Sequence, residues 1–513
     1  TGCASASHCN FAFIAEVKVL QADAGFNKII FSGNNVQIGG SPTASGGAGG
    51  YTYLWSNGST DANPTVNPTE TTTYTVTVTD SNNDVATDNM VVYINSGSVS
   101  GTKQTDTVFW FAVPQVAHRH GDLAAPNQET YFLSYFRITS IDEAATVTIS
   151  MPANPTFTPI TVNVAQKATQ SVELSNDPTK PYNLYVNNYE SYPANQTLNK
   201  GVLIESTSPI SVYYEVDYIK NTDIFVLKGM NALGSSFVVP GQNEFSNKQN
   251  AGDVSNVSEF PNDPMFHVAP RASFDIVATE DNTIITIMPR HDIEGRSGGA
   301  SFQITLNKGQ VYSARATNNN ASFHLGGSTI TSNKPIAITV KDDTMEWPGN
   351  AWDTWGDQLV PINSIGKRYI VTKGYMQGND RAFITAVENT TVTYNGSNYS
   401  INAGEVRRFE LTGAAGSGHF FEADKNVLLV QITGGSNTDN EFGGAIIPQL
   451  DCTGSEAVSF TRSTTGNFHI QLLVPDGGQG NFLLVKSDGT ALPINAGSFT
   501  AVPNTGNQWF TGI

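Results

Sequence analysis

At 513 residues the chain is long enough for several domains. It carries 27 Lys+Arg against 45 Asp+Glu, a formal net charge of −18, which argues against nucleic acid as a partner, because phosphates need basic patches. Charged residues are only 14%, Thr, Ser, Asn and Gly fill the difference, and no run of 18 apolar residues occurs, so the expectation is a secreted protein without membrane insertion.

Residues 1–14 form a small lead, and Thr1 reads as a processed or trimmed start. Cys3 and Cys9 are a candidate disulfide pair in an oxidising compartment, which leaves Cys452 over, more buried than reactive. Residues 15–97 read as a separate unit. Val17–Leu20, Lys28–Phe31, Val36–Ile38, Tyr51–Trp55, Thr73–Thr79 and Asn89–Ile94 are strand-like and punctuated by turns, the spacing of a small β-sandwich. Ser96–Thr105 is a run of small residues, with 98–105 as the linker.

From residue 106 to 513 the chain repeats itself, with units from about 106, 232, 364 and 452. The second unit shows the pattern as three successive hairpins. Phe274–Ala278 turns at Glu280-Asp281-Asn282 and returns as Ile284–Ile287. Phe302–Leu306 turns at Asn307-Lys308-Gly309 and returns as Val311–Ala314. Gly327–Thr331 turns at Ser332-Asn333-Lys334-Pro335 and returns as Ile336–Val340. The middle turn recurs at Asn163, Asn307, Asn402 and Asn495. Insertions fall at 176–200, 242–270 and 341–356, and the fourth copy is incomplete, so the natural protein is expected to continue. Eight short strands in about 88 residues equal two four-stranded meanders, the size of propeller blades. The expected fold class is therefore all-β: an Ig-like sandwich followed by a repeat-built domain, with a β-propeller favoured and tandem β-sandwiches as the alternative.

Two resemblances accompany this reading. Gly49-Gly50-Tyr51-Thr52-Tyr53-Leu54-Trp55-Ser56-Asn57-Gly58, Asn63-Pro64-Thr65 and Thr72–Asp80 resemble the PKD-type, immunoglobulin-like modules of bacterial surface proteins. That resemblance implies a spacer, with Trp55 as its core tryptophan and Tyr74–Val78 as a central strand. Phe109–Val116, Ala144–Ile149, Asn231–Phe237, Ile276–Thr283 and Thr331–Ala337 resemble the IgGFc-binding-protein N-terminal-type domain over about 106–513. That family implies large secreted surface proteins of Bacteroidota, with gliding-motility or type IX secretion contexts. No residue identifies an antibody-binding site.

Few motifs carry chemistry. His118, His120 and Asp122, with Glu129 nearby, are a metal-like cluster without a defined ligand set, against a plain surface loop. Asp80, Asn82 and Asp84 alternate oxygens as calcium loops do, the one cofactor the sequence suggests, against an Asx-rich hairpin turn. Asp342-Asp343 and Asp353…Asp357 carry the same ambiguity. Trp347, Trp352 and Trp355, with Asp353, fall in an insertion, and indole faces beside polar groups suit sugar stacking; the competing role is to plug the loop onto the core. Asp106-Thr107-Val108 and Asp343-Thr344-Met345 resemble the short O-glycosylation sites of these bacteria. No nucleophile elbow, phosphate loop or zinc-protease motif occurs. The expectation is a non-enzymatic, extracellular adhesin fragment that binds a glycan or protein ligand through loops, carried within a longer chain. The alternatives are a structural stalk module and an accessory region of a polysaccharide-degrading enzyme.

Overall fold

The computed structural model describes residues 19–25, 28–31, 35–70, 72–95, 105–116, 133–175, 189–217, 223–248, 269–347, 351–376, 378–434, 442–450, 458, 469–485 and 491–513. The chain divides into two compact units, 1–95 and 96–513. Cys3, Cys9, Cys452, His118, His120, Asp122 and Glu129 lie outside the described residues.

In the first unit, four strands lie in the order Lys28–Phe31, Val85–Asn95, Thr72–Thr79, Thr52–Trp55. Thr72–Thr79 alternates strictly, so Tyr74, Val76 and Val78 point inward together, as a period of two requires. They pack with Trp55, which is 1% exposed and whose Nε1–H donates to the Asp61 carbonyl at 2.9 Å. Ile38 and Val66, from outside this sheet, close the same core.

The second unit contains three copies of one seven-stranded pattern. In the second copy the strands are Gly234–Val238, Ala272–Ala278, Thr283–Met288, Phe302–Leu306, Val311–Arg315, Thr329–Trp347 and Ala351–Gln358. The first copy runs from Asp106–Phe111 to Asp223–Leu227, and the third from Gly366–Thr372 to Phe442–Ile447. The sixth strand is long in every copy: 16 residues in Val202–Asp217, 19 in Thr329–Trp347 and 17 in Gly418–Gly434. Its first half pairs with strands one and three, and strand three pairs with four. Its second half pairs with strands two and seven, and strand two pairs with five. Each copy is thus two four-stranded layers that share one bent strand.

This pairing corrects the hairpin reading. Strands two and three, and strands four and five, do not pair with each other; each short turn carries the chain from one layer to the other. The two crossings run side by side: Gly309 N–H donates to the Ala278 carbonyl at 2.9 Å, as Gly404 N–H does to Ala386 at 2.8 Å. Asn307, Asn402 and Asn495 open the same turn, each accepting from the N–H three residues on. In the first copy Ala165 holds that place, two residues beyond Asn163. The third expected turn is a corner inside a continuous strand. Ser332 Oγ donates to the Lys334 carbonyl there, as Ser206 Oγ does to Ser208, and Pro335 and Pro209 follow, where a missing N–H is tolerated. Four-stranded meanders, and with them a propeller, are not what these sheets show.

The fourth copy keeps the pairing of strands three and four in Leu483–Val485 with Ala491–Pro493. Trp509–Gly512, however, lies between Leu472–Pro475 and Phe499–Ala501.

Successive copies are locked together. Strand two is buried at every position in the second and third copies because both of its faces are covered. In Asp380–Ala386, Ala382, Ile384 and Ala386 face their own core, while Phe383 joins the core of the second copy with Val430, Ile432, Phe442 and Ile446. Burying one such side chain contributes about 1.5–3 kcal/mol. Close backbone approach adds to this. Gly327 has φ +91°, and a Cβ there would fall 2.0 Å from the Gly404 carbonyl oxygen of the next copy.

The insertions act as clasps. Thr197–Leu198, from the first copy, pairs with the outer strand Val311–Arg315 of the second, and Asn195 N–H donates to the Ser313 carbonyl at 3.0 Å. Residues 243–245, from the second copy, reach the third in the same sense. Asn243 Nδ2 donates to the Val406 carbonyl at 2.9 Å, Glu244 Oε2 lies 2.5 Å from Arg408 Nε, and the Phe245 and Phe442 rings are 4.9 Å apart.

Candidate functional site

The seventh strands carry a polar spine across the copies. Lys228 Nζ pairs with Asp357 and donates to the Gln358 carbonyl at 2.6 Å, while its own N–H donates to Gln358 Oε1 at 2.7 Å. Gln358 Nε2 in turn donates to the Trp110 carbonyl at 2.7 Å. The other Asp357 oxygen accepts from Ile446 N–H at 3.2 Å, so one carboxylate touches three copies. Burial pulls the Lys228 ammonium below its ordinary value, and Asp357 opposes that pull. Gly356 N–H donates to Asp223 Oδ2 at 2.6 Å, and burial raises the Asp223 carboxyl.

A second network closes around Asp342. Gln242 Nε2 and Asn247 Nδ2 each donate to it at 2.6 Å, and His324 Nδ1 lies 2.9 Å away; all four side chains are buried. The network ties the start of the second insertion to the long strand. Beside it, Lys341 Nζ lies 3.0 Å from Asp343 Oδ2, and the Thr344 and Thr354 hydroxyls donate to Asp343 Oδ1 at 2.8 and 3.2 Å. Asp342-Asp343 and Asp353…Asp357 are therefore interior hydrogen-bonding groups. Among the described residues, no group of three metal-ligating side chains is present.

On either side of residues 348–350 the tryptophan insertion is strand rather than loop. Trp347 and Trp352 lie at the ends of adjoining strands, where Trp347 pairs with Ala351 and Glu346 with Trp352; their side chains lie outside the described set. Trp355 is 1% exposed within the shared core of the second and third copies, and a Cβ at Gly444 would fall 2.6 Å from its own Cβ. Asp353 is buried, accepting from Phe442 N–H at 3.3 Å and from Thr354 N–H at 2.8 Å. Neither residue can meet a sugar from solvent.

The other candidates resolve in the same way. Asp80 accepts N–H donors from Ala48, Asn82 and Asp84 at 2.7, 2.9 and 3.0 Å, and the Ala48 bond leads in holding its carboxyl below the ordinary range. Backbone donors satisfy it in the arrangement of an Asx turn. Asp343, Thr344 and Met345 are fully buried, which removes Thr344 as a sugar acceptor in the folded chain. Thr107 is half-buried in a strand, and Asp106 accepts from Thr107 and Met230 N–H, each at 2.7 Å.

Reading the sequence alone missed Lys228, Gln358, Glu244, Gln242 and Asn247. A signal was available for Lys341, a cation that continues the apolar run Ile336–Val340.

One clasp residue titrates in a useful range. Lys200 Nζ donates to the Glu190 and Tyr192 carbonyls at 3.0 and 2.7 Å, and burial lowers it from 10.5 to about 8 against the pull of Glu190. Above about 8 the folded chain has shed a proton that the unfolded chain keeps up to 10.5. Stability therefore rises with pH across that window and is lowest below it. Urea midpoints measured across the window should rise in the wild type relative to Lys200→Met; equal slopes would refute the assignment.

The fold and these joints define the class: a tandem all-β repeat protein whose neighbouring copies merge cores and are held by clasps. The family described as IgGFc binding protein matches residues 223–511, more than half of the chain, and the chain belongs to that family. The N-terminal unit lies outside the match. No curated protein matches the sequence. Among solved structures, a tetra-tandem repeat from the extending region of a large adhesion protein is 9% identical over 84% of this chain and 99% of that one, with a TM-score of 0.11. A Ca2+-stabilized adhesin that helps an Antarctic bacterium reach out and bind ice is 11% identical over 84% and 99%, also at 0.11. Likeness at these scores carries no argument about fold or ligand.

Proposed function

We propose that the chain is the carrier region of an extracellular, non-enzymatic surface protein that binds a protein ligand. Family membership over 223–511 is the observation that supports this most directly, since the family is described by the binding of a protein, the Fc part of immunoglobulin G. The architecture is compatible with it. Cores shared between copies, and clasps from one copy to the next, make a continuous body that can hold a binding surface away from its attachment point. Burial of Trp355 and Asp353 weakens the glycan reading, which rested on exposed indoles. A PKD-like role as spacer for the N-terminal unit, and export by a gliding-type system, belong to the same proposal.

Surface plasmon resonance of the 513-residue chain against immobilised IgG Fc, alongside a glycan array, tests it. Saturable binding to Fc supports a protein-binding carrier; binding to glycans alone overturns the choice of ligand class. Release of reducing sugar from a polysaccharide by the chain would overturn the non-enzymatic part.

A second reading, a stalk module without a ligand of its own, draws on the clasps. The described parts of two insertions are spent on holding the next copy. No binding in either assay, together with end-to-end association of copies, would favour it.

A further inference from the structure

We propose that the second repeat forms an intramolecular amide between Lys341 Nζ and the Asp275 side-chain carbonyl, with Asp343 as the base. The placement comes from the register. Ser273 pairs with Lys341 and Asp275 with Thr339 on adjacent antiparallel strands, so Lys341 and Asp275 are diagonal neighbours on one face. Such neighbours sit about 7–8 Å apart, within reach of a long side chain. Lys341 is 1% exposed and Asp275 is 0%. The face is the one turned to the first copy: burial raises the Asp275 carboxyl, Lys341 lowers it, and Glu190 of the first copy adds a smaller rise.

The chemistry suits condensation. An amine attacks a neutral carboxylic acid far more readily than a carboxylate, and burial, the leading cause, pushes Asp275 up to about 7. Ser273 Oγ donates to Asp275 Oδ2 at 3.3 Å, and a hydrogen bond with the Ser313 side chain works with Lys341 against the burial. Asp343 Oδ2 lies 3.0 Å from Lys341 Nζ, placed to take a proton from the ammonium. The Nζ–Cγ bond forms and one Cγ–O bond breaks. The departing hydroxyl takes the second ammonium proton and leaves as water. One cation, one neutral acid and one carboxylate become a neutral amide, a neutral acid and water, so charge balances without an outside reagent. The third copy shows what this position otherwise holds. Phe383 and Ile432 stand in register where Asp275 and Lys341 stand in the second, inside the apolar joint. A neutral link fits that interior better than an ion pair, whose desolvation offsets its attraction.

Intact-mass measurement of the folded, thiol-reduced 513-residue chain tests the proposal. The wild type should be lighter than its sequence by one water, and digestion should yield a branched peptide that joins the segments around 275 and 341. Lys341→Arg keeps the charge but cannot form this link, and Asp343→Asn removes the base; both should show the full mass. A folded wild type at full mass overturns the proposal, as does the same loss in Lys341→Arg, which would place it elsewhere. Should one variant fail to fold, the branched peptide in the wild type still decides.

Discussion

Trp355→Ala is expected to destabilise the second and third repeats together by about 3–5 kcal/mol, the range for emptying a buried aromatic site. The indole is 1% exposed and lies where the two cores merge, with Phe245, Phe442, Ile432 and Ile446 in the same cluster. Gly444 lets the strand of the third copy come close to Trp355, and a rigid backbone cannot collapse into the gap the substitution leaves. Because copies stacked in a row unfold through their shared interfaces, the loss should appear twice. The urea transition should shift to lower concentration, and it should broaden or split as the third copy uncouples from the second. A shift below about 1 kcal/mol would mean that Trp355 is not a core residue, and the sugar-stacking role would return.

Lys228→Met should cost about 3–5 kcal/mol by leaving the buried Asp357 carboxylate without its cation. The second substitution is the sharper test. Lys228→Met with Asp357→Asn removes the stranded charge, so it should recover most of the loss while keeping the hydrogen bond from Ile446 N–H. Urea midpoints of the two single variants and the double variant give the coupling. Additive losses would show that the pair does not act as a unit and that the spine between copies is incidental.

Much of the strand content was legible because alternation is a local property. Thr72–Thr79 and Ala145–Ser150 each display one apolar face, and the repeat period is visible in the chain. Pairing was not legible. Asn307 and Gly309 mark a sharp turn, and Gly309 supplies a φ of +76°, but neither residue records whether the next strand stays in its layer or crosses to the other. Layer choice depends on contacts far away in sequence, such as Ala278 with Gly309. The corner at Ser332–Pro335 deceived for the same reason: turn-forming residues bend a continuous strand as readily as they end one. The tryptophans misled through their setting. Residues 341–356 look like an insertion, yet the long strand runs on through Trp347 and the next begins at Ala351, which turns Trp355 inward. Buried charges such as Asp357 were indistinguishable from surface charges because their partners come from other copies.

The borrowed strand Thr197–Leu198 bears on where the protein can be cut. The family match opens at residue 223, beyond that pair, so a recombinant piece trimmed to the match would carry the second copy without its cover. Part of Val311–Arg315 would then present bare amides and carbonyls to solvent, a template on which further chains can add. Such a product would precipitate or oligomerise for reasons unrelated to its own stability, and moving the upstream limit to about residue 106, which retains the whole first copy, would keep the cover in place.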